Sequence, residues 1–185
     1  PVSPLWLVSA PGCRWGAPPT VLIERGAAAE PGSELLQDWL IDNGPTFWKS
    51  PGPSEGRRSF DAQVQARVSD PDPSALLNQT NQPNNVLVRK NLASWVHPIN
   101  CIEWLQFEHQ NRRVPVFERP TEFVSYILRS TDQKRLMIIY YTRNEDGIGR
   151  LGPLSARIEA ARADGWQVHA SLHTHNFHPG QPAMN

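Results

Sequence analysis

At 185 residues, with 39 % hydrophobic and 19 % charged side chains, the chain can bury a core and is neither disordered nor membrane-like in composition. Lys and Arg number 18, as do Asp and Glu. No basic stripe stands out, which argues against nucleic acid as the partner, because phosphate binding draws on clustered cations.

No apolar run reaches the roughly eighteen residues that suggest a membrane span. The two cysteines, Cys13 and Cys101, are spaced neither as a zinc knuckle nor as a disulfide framework. They read as independent thiols in a reducing, cytoplasmic setting. The first residue is Pro1, which leaves room for a removed leader. Asn78-Gln79-Thr80 fits a glycosylation sequon, a signal that matters only in a secreted protein.

Residues 4–10 (PLWLVSA) and 20–24 (TVLIE) flank the turn-rich PGCRWGAPP and read as a pair of strands. Ser33 suits an N-cap, and Leu35, Leu36, Trp39 and Leu40 line one face of a helix closed by Asn43-Gly44 as a left-handed cap. Residues 45–56 form a loop rich in Pro, Gly and Ser. Residues 63–69 (QVQARVS) alternate as a half-buried strand, residues 70–85 are loop, and residues 86–88 make a further short strand. Eighteen prolines, concentrated in the first half, break it into short pieces. An irregular, β-rich lobe with one helix is expected over residues 1–95, with no motif that assigns it a role.

The second half is more regular. Residues 102–108 (IEWLQFE) suit a strand or a short helix, and periodicity does not choose. Residues 114–117 (VPVF) read as a short strand and RPTE as a turn. FVSYILR (123–129) and LMIIYYT (136–142) are β-branched and aromatic runs joined by STDQK, an antiparallel hairpin. After a loop at 144–152, Pro153 takes the first helical position, and Leu154, Ile158 and Ala161 form an apolar stripe that ends at Gly165. Trp166 opens the last strand. Hairpin, helix and strand set a helix against a sheet, so the class is α+β or mixed α/β, with a core over residues 96–185.

That last strand carries the densest chemistry. His169, His173, His175 and His178 fall within ten positions. His173 and His175, two apart, leave the same face of a strand and make a ready pair of zinc ligands. His169 shares that face but stands about 13 Å from His173 at about 3.3 Å per residue, which suits packing or an outer role. His178 follows the turn-prone NFHPG and ranks behind the pair. Catalytic zinc also wants a carboxylate base that is not a ligand. Glu122, at the lip of the strand over 123–129, is the first candidate and Glu118 the next; Glu103 and Glu108 stand further back.

A Glu ahead of an apolar strand, a second strand, a helix, and a strand ending in His-x-His about fifty residues on resemble the core of MPN/JAMM metalloproteases. His173-Thr174-His175 is similar to that family's His-Ser-His, with Gly165-Trp166 before it and Pro179-Gly180 after it. The resemblance covers residues 114–185. It implies an MPN-like sheet-and-helix core, zinc held by His173 and His175, and water activated by Glu122 or, failing that, Glu118. The implied substrate is an amide or isopeptide bond in a protein or peptide, a ubiquitin-like protein included. The family's oxyanion Ser and third ligand, an Asp, would fall at Ala183 and just past Asn185. Asn176-Phe177-His178 stands where the family has Pro directly after the second His, and a longer loop there would carry both further on.

Rival readings stay open. His-x-His, and LHTH in particular, also serves other metal hydrolases, such as peptidoglycan endopeptidases or PHP-type phosphoesterases. An MPN-like module without metal would bind protein and cut nothing. Taken alone, the cluster reads as a solvated strand end. The seven tryptophans read as packing and not as a stacking surface for bases or sugars, since no basic groove accompanies them.

Overall fold

The computed structural model describes residues 19–27, 30–49, 100–115, 119 and 121–174. Among these, five strands form one antiparallel sheet: β1 (Thr20–Arg25), β2 (Glu34–Asp42), β3 (Phe123–Arg129), β4 (Arg135–Thr142) and β5 (Gln167–His173). Their order is β1-β2-β4-β3-β5. Helices α1 (Gly44–Lys49), α2 (Cys101–Arg113) and α3 (Gly152–Ala163) complete a mixed α+β arrangement. The lobe boundary expected near residue 95 lies outside the described residues. Strands β1 and β2 from before it nonetheless belong to the same sheet as β3–β5 from after it.

The β3–β4 hairpin follows from its sequence, two β-branched and aromatic runs in unbroken register from Phe123↔Thr142 to Arg129↔Leu136. Its turn is tied by Ser130, whose hydroxyl donates to Asp132 Oδ1 (2.5 Å) and accepts the Arg135 amide (3.0 Å). Helix α3 then carries the chain across β3, so that β5 pairs with the other edge of β3. The apolar stripe expected on α3 is there: Leu154, Ile158 and Ala161 pack on Leu36, Val124 and Ile139. On the opposite face, Ile102 of α2 and Phe47 and Trp48 of α1 cover Trp39, Ile127 and Tyr140. The sheet therefore has helices on both sides. Arg157 of α3 reaches Asp38 of β2 through Nε (2.8 Å) and Nη2 (2.6 Å). Burial raises the Asp38 pKa by more than this guanidinium lowers it.

Residues 35–40, expected as a helix, are the middle of β2. Three of the four residues that suggested a helix, Leu35, Leu36 and Trp39, are apolar because both faces of β2 are covered there, while Leu40 is exposed. Leu35, Gln37, Trp39 and Ile41 are buried toward α2, and Leu36 is buried toward α3. A strand covered on both faces loses its period-two signature. Asn43 does take the left-handed conformation (φ 54°), but it opens α1 instead of closing a helix. Gly44 follows because a Cβ there would lie 2.5 Å from Leu136 Cγ. Residues 45–49, expected as loop, belong to α1. The strands expected at 4–10, 63–69 and 86–88 lie outside the described residues.

The undecided segment at 102–108 is helix α2. Asn100 Oδ1 accepts the Glu103 amide (2.9 Å) while Glu103 Oε2 accepts the Asn100 amide (2.8 Å), a reciprocal capping box. Of the strand expected over 114–117, Val114 is instead the C-cap of α2, and residues 116 and 117 lie outside the described residues. Cys101 opens α2, fully buried against Leu105, and it is disulfide-bonded. That corrects the expectation of two independent thiols. Among the described residues no helix is long and apolar enough to cross a membrane.

One histidine outside the terminal cluster is part of this core. His109 of α2 sets its ring edge-on to Trp39 (4.9 Å between centroids) and Tyr140 (5.1 Å). Its Nε2 is sealed from solvent with no hydrogen-bond partner. Burial, helped by the charges of Arg113 and Arg112, pushes the imidazole down to about 3. An unfolded chain protonates its histidines near pH 6.5. Below that pH the unfolded state holds a proton that the fold refuses, and stability falls by up to about 1.4 kcal/mol per pH unit.

Two predictions follow from this packing. His109→Phe should flatten the loss of melting temperature between pH 7.5 and 4.5 relative to the parent chain, and equal slopes would show that the imidazole is not the sensor. Alkylation of denatured but unreduced protein should leave Cys101 unmodified by mass spectrometry. An alkylated Cys101 would return it to the thiol state.

Candidate metal centre

The end of the sheet where β3 begins and β5 ends gathers the candidate residues. Strand β5 lies antiparallel on β3, with Val124 opposite His173. One step further along, the Thr174 amide donates to the Phe123 carbonyl (3.1 Å), and the Phe123 amide donates to Thr174 Oγ1 (3.2 Å). Residues opposite each other in such a ladder point to one face, and Val124 is buried toward α3. His173 therefore leaves the sheet on the α3 side, where it is exposed. Glu122 directly precedes Phe123, which exchanges hydrogen bonds with Thr174, so Glu122 and His173 lie at the same end of the sheet on neighbouring segments.

The backbone of Glu122 is held at both polar groups. Its amide donates to the Glu145 carbonyl (3.0 Å), and its carbonyl accepts the Thr142 hydroxyl (2.8 Å). Thr142 is fully buried, and its oxygen also accepts the Asn144 amide (3.1 Å). The Asn144 side chain continues inward, donating to Ser33 Oγ (2.7 Å) and accepting from Gln110 Nε2 (3.2 Å). Gln110 Nε2 also donates to Thr121 Oγ1 (2.9 Å), and Gln110 Oε1 accepts the Tyr140 hydroxyl. Ser33, expected as a helix N-cap, is thus a junction between the approach to β2 and the end of β4. Burial pushes the Tyr140 pKa far up, so its hydroxyl remains a donor. This network joins α2, β2, β3 and β4 directly beneath the start of β3.

His169 departs from the sequence reading. A register shift in β5 leaves it as the extra residue, between Ala170 opposite Ile127 and Val168 opposite Leu128. The bulge rotates it away from the face of His173. Its ring stands edge-on to Trp48 of α1 at 5.5 Å, and its Nε2 lies 3.4 Å from Arg129 Nη2. Desolvation first, and the Arg129 charge second, lower its pKa. It is not a neighbour of the candidate centre on any side. Glu103 is occupied in the α2 cap, and Glu108 pairs with Arg112 one turn on (3.0 Å).

Of the expected site residues, His173 and Glu122 are brought to one end of the sheet, on neighbouring segments. His175, His178 and Glu118 lie outside the described residues. Among the described residues no three His, Cys, Asp or Glu side chains converge. Were zinc held there, His173 could supply one imidazole donor and Glu122 a carboxylate from the neighbouring segment. The residues that hold Glu122 were not anticipated. Thr142, Asn144, Gln110 and Thr121 look in sequence like ordinary polar positions at the ends of apolar segments. No sequence signal marks them, because they come together only in the fold, Gln110 meeting Asn144 across 34 positions. No protein-family model, curated protein or solved structure matches this chain.

Proposed function

We propose that the chain is a zinc-dependent peptidase or isopeptidase on an MPN/JAMM-like core, with His173 and His175 as metal ligands and Glu122 as general base. The supporting observation is the pairing of β5 with β3. It sets the His173–Thr174 segment beside the Glu122–Phe123 segment although 51 positions separate Phe123 from Thr174. An order of hairpin, helix and returning strand is also what such a core requires.

Bound zinc would supply a coordinated water acidic enough to lose a proton near neutral pH. The chain's own work is positional. His173, the last residue of β5, and His175 two positions on would supply imidazole nitrogens to the metal. Glu122, on the adjoining strand, takes the proton of the attacking water on a carboxylate oxygen and hands it to the departing amine nitrogen. Glu118 is the reserve base. The disulfide state of Cys101 favours an oxidising compartment over the cytoplasm. With that compartment goes a peptide or secreted protein substrate in preference to an intracellular ubiquitin-like one.

Purified protein should carry roughly one equivalent of zinc, and His173→Ala should lose it. Glu122→Gln should keep the metal and lose about 10²–10⁴-fold in hydrolysis of fluorescence-quenched peptides. Undiminished cleavage by Glu122→Gln would move the base elsewhere, with Glu118 tested next. Less than about a tenth of an equivalent of zinc would leave a non-catalytic binding module.

A further inference from the structure

The peptide group between Glu122 and Phe123 is held at both ends by hydroxyls. Its carbonyl, on the Glu122 side, accepts the Thr142 hydroxyl at 2.8 Å. Its N–H, on the Phe123 side, donates to Thr174 Oγ1 at 3.2 Å. Thr142 and Thr174 come from the strands on either side of β3 and lie in one row with Phe123, Thr142 through the β3–β4 register and Thr174 through the hydrogen bonds at the end of β5. A regular ladder would use backbone partners at such positions; here two side chains take over.

We infer that Thr142 and Thr174 are positioning residues, a two-sided clamp that fixes the plane of the Glu122–Phe123 peptide and so the direction in which Glu122 leaves the sheet. This rests on the reading of Glu122 as the base. The reason such a clamp matters is geometric. The plane of the peptide that follows a residue sets the ψ of that residue, and with the amide of Glu122 also held, by Glu145, its Cα–Cβ bond has little freedom left. A carboxylate that must meet one water loses rate steeply with small misplacement, about 10²-fold for 1 Å. Thr174 has a second duty, since it stands between the two histidines of His-x-His. Its hydroxyl ties the ligand-bearing strand to the base-bearing strand at one atom, so that relative motion of the two segments is restrained.

Valine keeps the shape of threonine and deletes the hydroxyl, while serine keeps the hydroxyl. In metal-free protein, hydrogen exchange at the Phe123 amide should quicken about tenfold or more in Thr174→Val and return toward the parent rate in Thr174→Ser, a tenfold change being the loss of one ordinary hydrogen bond. In zinc-loaded protein acting on the quenched peptides, Thr174→Val should lower kcat by about 10-fold or more with KM within about twofold, and Thr174→Ser should recover most of it. Thr142→Val should likewise lower kcat by about 10-fold, with Thr142→Ser recovering most of it. Unchanged Phe123 exchange in Thr174→Val would overturn the clamp whatever the activity, and so would a kcat loss that serine fails to restore. Quickened Phe123 exchange in Thr174→Val, combined with full activity in Glu122→Gln, would instead retain the clamp and discard Glu122 as the base.

Discussion

The pairing of β5 against β3 is the interaction on which the candidate centre depends. Without it the histidines would be the tail of a strand with no carboxylate nearby, and Glu122 would be one more acid at the mouth of a hairpin. Two things secure the pairing. Ala170 and Leu172 pack against the α2-side core, which fixes which face of β5 looks inward. The exchange between Phe123 and Thr174 fixes where along β3 the strand stops. One sets rotation and the other sets translation, and together they leave the register a single solution.

Beneath that pairing lies a buried polar network, an arrangement that costs stability unless every member finds a partner. Gln110, Thr121, Tyr140, Asn144 and Ser33 satisfy one another in a chain of hydrogen bonds. An apolar plug would fill the same space, but it would not fix the directions of the backbone groups above it. The polar version holds the Asn144 amide against Thr142, and Thr142 against Glu122. Helix α2 is thereby coupled through Gln110 to the strand end.

Legibility in the sequence followed how much each segment depends on distant parts of the chain. The β3–β4 hairpin and α3 carry their own instructions, in FVSYILR, LMIIYYT and the Pro153-to-Gly165 frame, and they formed where expected. Strand β2 did not, because its buried faces are made by helices that contribute nothing to its local pattern, and Gln37 is buried where a polar residue suggested exposure. Helix α2 had its signal in Asn100-x-x-Glu103, a capping box that outweighs a weak apolar period. At the candidate site, the strand that ends in His173 and its place after α3 were legible from pattern and order. The placement of His169 was not, since a single extra residue reverses a face and leaves no mark on composition. The polar network was equally hidden: Ser33 and Asn144 meet across 111 positions.

That extra residue divides β5 into two halves whose phases are independent. The stretch from the end of α3 to Val168 can lengthen or shorten by a residue, and the irregularity at His169 takes up the change before it reaches the far half. From Ala170 onward the strand is locked to β3 by core packing and by Thr174. A one-residue change of length is therefore absorbed most easily between Ala163 and His169, whereas the segment from Ala170 to Thr174 is held in register. The bulge is the expansion joint of the molecule.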